Sequence, residues 1–307
     1  TIVSLREDLL KILNENKELK PFDNDLRELF KSWFNPGFLK LAKITWDTKA
    51  AVLEKIIQYE RVHKIKDMNE LKRRLGEDRR FFSYFHPALD DEPIIFVQVA
   101  LTNGLGKSIQ EIMKPSAEGA KKYDTATFYS ISNCQEGLSR VTLGNFLIKR
   151  VVYEIQEELP NIKNFGTLSP IPGFRDWFTT LDEKIIQNIL GKIPYSNVSF
   201  LKSTDLKVGD GRIVSNKHAI IKLVAHYLMN EKNKKGLPIN DVCRFHLGNG
   251  AIIDDININA NVSEVGLNRS FGVMVNYLYE LKNIEKNHED YINNKKIIIS
   301  DQLKKKL

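Results

Sequence analysis

ATFYSISNCQEGLSRVTLGNFLIKRVVYEIQEELPNIKNFGTLSPIPGF, residues 126–174, reads as a strand, a glycine-punctuated loop, an amphipathic helix and a rigid Ser-Pro turn. Thr, Phe, Tyr and Ile occur in residues 126–131 at the density of a β-strand. Gly137 and Gly144 fall in the loop that follows, just ahead of the helix. The first turn of a helix leaves backbone N–H groups unpaired and carries the positive end of the macrodipole, so a phosphate or pyrophosphate is its expected guest. After the helix comes Ser169, where Pro170 and Pro172 fix the backbone and hold the hydroxyl in one direction. The whole stretch describes a site for an anionic, nucleotide-like ligand with a hydroxyl beside it.

Working outward, the apolar spacing upstream is helical from residue 4 to 76. Leu5, Leu9, Ile12 and Leu13 form one stripe, and Leu26, Leu29, Phe30, Trp33 and Phe34 another. Thr45 or Asp47 is placed to cap a third helix through Ala51, Val52, Ile56 and Ile57. The pattern changes near Phe81: HPALDDEP, residues 86–93, is turn-rich and leads into IIFVQVAL, a run suited to a strand buried on both faces. A helix near residues 108–113, the strand from Ala126, the glycine loop with its helix, and a strand at 164–168 follow. Residues 182–190 and 217–229 read as helices, while VCRFHLGNGAIIDDINI and FGVMVNYLY carry further strand and helix signals, with His246 read beside a strand. The fold class is therefore α+β, an N-terminal all-helical bundle over residues 1–85 followed by an α/β domain over 86–307, whose sheet topology the order of elements does not decide.

Composition agrees with this. At 307 residues and 42% hydrophobic content the chain can bury one large core or two modest ones, and two domains suit the length. No apolar run approaches the roughly 18 residues of a membrane span, and residues 1–20 have charges throughout and no apolar centre of a signal peptide. A soluble cytoplasmic protein is expected, with no membrane partner. Thr1 in place of an initiator Met points to a segment upstream. Cys134 and Cys243 give neither a disulfide framework nor a metal-ligand cluster, as suits a reducing compartment. The net charge of +7 is dispersed, and its densest runs, residues 72–74, 79–80 and 304–306, lack aromatic interleaving, so nucleic acid is not expected as a partner. An excess of positive charge serves a ligand with several phosphates equally well.

Three other motifs lead nowhere. NGLGKS at 103–108 resembles a phosphate-binding loop but has Leu101 where the first glycine must be. Asp254 and Asp255 are adjacent, so alternation along a strand would point them to opposite sides. Glu154, Glu157 and Glu158 lie on the polar face of the helix that follows the glycine loop, as a solvated face requires.

Gln135, Gly137, Leu138, Val141, Leu143 and Gly144, then FLIKRVV at 146–152 and LSPIPGF at 168–174, closely resemble the malonyl-CoA decarboxylase family. The resemblance extends to ELFKSWFNPGFLKL (28–41), ITW (44–46), ELKRRLG (70–76), EPIIFVQVALT (92–102), FHLGNGA (245–251) and NYLY (276–279), in the family's order and at similar spacings. It implies a GNAT-like, mixed-sheet acyl-CoA domain behind a helical oligomerisation domain that begins farther upstream than this chain does, and a homo-oligomer, dimer or tetramer. It implies conversion of malonyl-CoA to acetyl-CoA and CO2 in fatty-acid or malonate metabolism. Ser169 is identified by the resemblance as proton acceptor, His246 as proton donor, and Tyr279 as a further site residue. Ser139, Arg140, Val141, Thr142, Leu143, Gly144 and Asn145, with Ser169, are implied to line the CoA path. Two positions depart from the family: Arg140 stands where glycine is common, and Thr142 where some members carry a glutamate proposed to assist catalysis. Thr142 can donate a hydrogen bond there but cannot act as a carboxylate base. His63, His86, His218, His226 and His288 match no motif of the family.

The chemistry so implied asks for little. Loss of CO2 from a malonyl thioester leaves an electron pair at the α-carbon, spread onto the thioester oxygen as an enolate. The site must bind a carboxylate, stabilise an oxyanion and deliver a proton. The thioester is itself the electron sink, so neither a metal nor biotin is expected as cofactor. A serine hydroxyl at ordinary pKa is a poor base, and donating a hydrogen bond to the carboxylate or thioester oxygen is the easier role for Ser169. A GNAT-like acyltransferase, a decarboxylase of malonyl held on a carrier protein, and a catalytically silent acyl-CoA-binding protein are the alternatives. An acyltransferase needs a site for an acceptor amine, which the sequence does not advertise.

Overall fold

The computed structural model describes residues 1–35, 37–114, 123–139, 141, 147–203, 206–207 and 209–307. The chain opens with helices α1 (Ile2–Ile12) and α2 (Lys20–Trp33), strand β1 (Lys40–Lys43), helices α3 (Ala50–Tyr59) and α4 (Met68–Arg74), and strands β2 (Arg79–Phe85) and β3 (Pro93–Thr102). It continues through α5 (Ile109–Met113), β4 (Thr125–Asn133), α6 (Leu147–Glu158), β5 (Asn164–Pro170), α7 (Phe174–Thr180), α8 (Glu183–Leu190), α9 (Gly211–Ser215) and α10 (Lys217–Met229). The last elements are α11 (Asp241–Gly248), β6 (Ile252–Asn257), α12 (Glu264–Ser270), β7 (Met274–Leu278), α13 (Ile284–Asn294) and α14 (Asp301–Lys304).

Two compact units result. One comprises residues 1–101, 115–123 and 128–162; the other comprises 102–114, 124–127 and 163–307. In the first unit the strands run in the order β1-β2-β3-β4. β1 pairs antiparallel with β2, and β2 with β3, with Phe82 opposite Val97. Every residue of β3 up to Leu101 is buried, which explains its unbroken apolar run. Ile44, Val52, Leu53, Ile56, Leu71, Phe81 and Phe96 form a core cluster there, with the Phe81 and Phe96 rings 5.3 Å apart. Leu147, Ile148, Val151, Val152 and Ile155 give α6 the apolar stripe read from its sequence.

The helical reading of the first 85 residues holds for α1 to α4 and is corrected at β1 and β2. KLAK is a four-residue strand at the end of the strand order, too short to show alternation, and it is held by ladder bonds to β2 rather than by its own pattern. The expected division at residue 85 falls between β2 and β3, which are hydrogen-bonded neighbours. Glu158 is also more than a solvated residue: it bridges Lys43, at 2.9 Å, and Arg80, at 2.7 Å.

In the second unit the order is β5-β7-β6, and both pairings are antiparallel. Ser169 stands opposite Val275, and Thr167 opposite Tyr277. The β6 register shifts between Ile253 and Asp255, so Asp254 and Asp255 do not alternate simply. Their carboxylates are separately engaged, Asp254 by Gln302 Nε2 at 2.6 Å and Asp255 by Lys306. α10 buries Ala219, Ile220, Leu223, Val224 and Leu228 in this unit's core. Phe174, Phe178 and Phe271 pack edge to face at 5.8 to 5.9 Å directly after the Ser-Pro turn. Among the described residues no helix is long and apolar enough to cross a membrane.

Candidate active site

Ser169 is the penultimate residue of β5, and hydrogen bonding to β7 fixes its backbone on one side. His246 arrives from α11, not from a strand as its sequence context suggested. The helix is set by Asn240, whose side chain accepts the Cys243 N–H at 2.8 Å as an N-cap, and by burial of Cys243, His246 and Leu247 on one face. Gly250 ends it at φ +81°, where an added Cβ would stand 2.2 Å from the Ile284 carbonyl oxygen. Asn240 also reaches the other element of the site, since its Nδ2 donates to the Pro172 carbonyl at 2.9 Å. One buried amide therefore starts the histidine helix and grips the turn that follows the serine. Tyr227 donates to the same carbonyl at 3.0 Å.

The two elements bring Ser169 Oγ to 3.0 Å from His246 Nε2, and Tyr279, one residue past β7, to 2.8 Å from Nδ1. The Ser169 O–H donates to Thr167 Oγ1 at 2.8 Å. That donation decides the rest of the line. With the serine proton committed to Thr167, Nε2–H donates to Ser169 Oγ, and Nδ1 accepts the Tyr279 O–H. Tyr277 stacks on the imidazole at 4.4 Å and 27°. Ser169, His246, Tyr279 and Thr167 are all buried, with 5% or less of each surface exposed.

Burial governs the electrostatics. It pushes the His246 imidazole down to about 3 and the Tyr279 phenol well above its usual 10, so both are neutral near pH 7. Four neutral groups thus form one directed hydrogen-bonded line in a low-dielectric interior, where each bond is electrostatically stronger than in water. Behind the line, Asn276 Nδ2 donates to the Thr167 carbonyl at 2.7 Å and the Gly106 carbonyl at 2.9 Å, while its oxygen accepts from Asn257 at 2.6 Å. This amide braces β5 two residues before the serine.

Ser169, His246 and Tyr279 are therefore brought together. Ser139 is exposed and Val141 buried, both in the first unit. Arg140, Thr142, Leu143, Gly144 and Asn145 lie outside the described residues. Thr167 and Asn240 were missed from sequence, while Asn276 was read from sequence only as a wall residue beside Tyr279. Asn240 carried a usable signal, an Asn-Asp pair just ahead of an apolar stretch at helical spacing; Asn276 stood in the matching NYLY motif, and Thr167, one residue ahead of LSPIPGF, carried no signal.

The malonyl-CoA decarboxylase C-terminal domain model matches residues 37–307, and the N-terminal domain model matches residues 1–34. The mitochondrial malonyl-CoA decarboxylase of Anser anser anser is 37% identical over 98% of this chain, and that of Rattus norvegicus is 36% identical over the same share. The chain spans 65% and 66% of the lengths of these two proteins. The crystal structure of malonyl-CoA decarboxylase from Rhodopseudomonas palustris superposes with a TM-score of 0.86 at 41% identity, covering 99% of this chain and 74% of that one. The Agrobacterium vitis malonyl-CoA decarboxylase structure gives 0.89 at 39% identity, with 99% and 75% covered. On domain models, sequence and structure together, the chain belongs to the malonyl-CoA decarboxylase family.

Proposed function

We propose that this chain converts malonyl-CoA to acetyl-CoA and CO2 with Ser169 and His246 as its catalytic pair. The observation that carries the reading is the Ser169–His246–Tyr279 line at 3.0 and 2.8 Å, in a chain whose relatives are malonyl-CoA decarboxylases. The carboxylate leaves as CO2 when the carbon–carbon bond pair moves into the thioester, giving an enolate. Turned away from Thr167, the Ser169 O–H donates first to the enolate oxygen and then transfers its proton to the α-carbon. Ser169 Oγ takes a proton from Nε2, Nδ1 takes one from Tyr279, and water restores the phenol. A thioester enolate is far more basic than a phenolate, so the relay runs downhill. Neither metal nor biotin enters, because the thioester takes the electron pair. A positioned donor of this kind is worth roughly 10² to 10⁴ in rate.

The segment 139–145, whose residues the family resemblance implies along the CoA path, is proposed to carry the CoA moiety. The unpaired, buried thiols of Cys134 and Cys243 suit a reducing compartment, such as the cytosol or a mitochondrial matrix. Exposed Leu5 and Ile12 on α1, and Phe22 and Trp33 on α2, support self-association through the N-terminal helices.

The test is to incubate the chain with malonyl-CoA after chelator treatment and to follow acetyl-CoA by chromatography, with CoA binding measured by calorimetry. Turnover that survives the chelator supports the proposal. CoA binding without acetyl-CoA would move the substrate to a malonyl group held on a carrier protein.

A further inference from the structure

The His246 imidazole is held at both nitrogens, by Ser169 and by Tyr279, yet both bonds change character as a proton passes along the line. The torsion that sets the plane of an imidazole is broad and nearly two-fold, so a ring held by such bonds alone can tilt while they exchange. A restraint indifferent to which atom carries the proton removes that freedom, and Tyr277 is placed to supply it. Its ring centroid lies 4.4 Å from that of His246, at an interplanar angle of 27°. The other ring contacts of this imidazole among the described residues, with Phe245 and Tyr279, are T-shaped.

Tyr277 stands on a rigid support. β7 is flanked by β5 and β6, and Tyr277 pairs with Thr167 on one side and Ile253 on the other. Its backbone N–H donates to Thr167 Oγ1 at 3.4 Å, the same oxygen that receives the Ser169 O–H. Its hydroxyl lies beside the Cys243 thiol, one turn before His246 on α11, so the phenol ring runs along that turn of the helix. The thiol donates to the Leu228 carbonyl at 3.8 Å. The Tyr277 hydroxyl is fully buried and makes no hydrogen bond of good geometry among the described residues, which is a cost to folding rather than a gain. Burial also holds this phenol well above its usual 10, so it keeps its proton near pH 7. What the side chain contributes to the site is the face of its ring.

We infer that Tyr277 is the positioning residue of the His246 imidazole, its phenol face fixing the plane in which Nε2 meets Ser169 and Nδ1 meets Tyr279. This rests on the decarboxylase reading for its kinetic consequence alone. Tyr277 acts through His246 and exchanges no proton itself.

The experiment compares the full chain with Tyr277→Phe, which keeps the ring, and with Tyr277→Leu and Tyr277→Met, which remove it. Leu223→Ala, a cavity in the core that α10 forms, is the control for lost stability. In the two aliphatic variants kcat for malonyl-CoA is expected to fall about tenfold or more, with KM within about twofold of wild type. Tyr277→Phe is expected to restore kcat to within about threefold of wild type. NMR of the 15N-labelled imidazole is expected to show one sharp Nε2–H signal in wild type and Tyr277→Phe, and a signal broadened or lost to solvent exchange in the aliphatic variants. Leu223→Ala is expected to lower the melting temperature and keep both the sharp signal and kcat.

A lost kcat in folded Tyr277→Phe overturns the proposal, by moving the role from the ring to the hydroxyl. Wild-type kcat, or a sharp Nε2–H signal, in a folded aliphatic variant overturns it too, as does equal broadening in Leu223→Ala. Failure of both aliphatic variants to fold counts against it, by making the ring a residue of stability alone. Absence of turnover in the wild-type chain would instead remove the decarboxylase reading, and the Nε2–H comparison would still decide the part played by Tyr277.

Discussion

Ser169 Oγ and His246 Nε2 lie 3.0 Å apart although 77 residues separate them, and the same Asn240 amide caps the histidine helix and holds the turn after the serine. The pair is therefore placed by a shared brace rather than by two independent elements. Asn240→Ala is expected to cost about 1 to 2 kcal/mol of stability through the lost cap, and to lower kcat as well. Denaturant unfolding beside steady-state kinetics measures both. Loss of stability with undiminished kcat would mean that the cap and the catalytic geometry are uncoupled.

Thr167 decides which way the line of protons points. Replacing it with Val removes the acceptor of the Ser169 O–H at similar volume, so the serine proton turns to Nε2 and the imidazole adopts the other tautomer. The expected outcome is a fall in kcat of about tenfold or more with KM little changed. NMR of the 15N-labelled imidazole checks it directly: Nε2 is protonated in wild type and unprotonated in Thr167→Val.

Tyr279→Phe removes the donor to Nδ1 and leaves a buried acceptor without its partner. The expected loss is about 1 to 3 kcal/mol in stability, with a lowered kcat because nothing recharges the imidazole. Stopped-flow turnover at saturating malonyl-CoA reads the second effect. Wild-type kcat in a folded Tyr279→Phe protein would remove Tyr279 from the relay.

The pH dependence of stability follows from His246. Its folded value, about 3, lies below the ordinary 6.5, so between these two the unfolded chain binds a proton that the folded chain does not. Stability from this group is complete above pH 6.5 and is lost progressively as pH falls toward 3, by several kcal/mol in all. Urea melts at pH 7.5 and pH 5 should show the loss, and His246→Gln should flatten it. The same depression means that the imidazole contributes no inflection near pH 6.5 to the rate profile of the wild type.

The sequence showed much of this and concealed some of it for physical reasons. β3 was legible because both its faces are buried, and α6 because its apolar stripe keeps a 3.6-residue period. Ser169 was singled out because LSPIPGF as a whole resembles the family, since a serine before proline is by itself an ordinary turn residue. His246 was found, but on the wrong element, since a helix of eight residues between turns shows little periodicity. β1 was concealed because a four-residue strand is held by its neighbour's ladder bonds and not by a pattern of its own. Tyr277 was read only as a wall residue for a different reason: an aromatic side chain on a strand is ordinary core by its pattern, and the fold alone shows which ring it stacks on.

The central claim is that the buried Ser169–His246 pair carries out the decarboxylation. Its most direct test is the kcat for CO2 release from saturating malonyl-CoA in Ser169→Ala and His246→Gln, each first shown to be folded and to bind CoA like the wild type. The account predicts a loss of roughly 10² to 10⁴ in both, with no further loss in the double variant. Wild-type CO2 release by either single variant would contradict it.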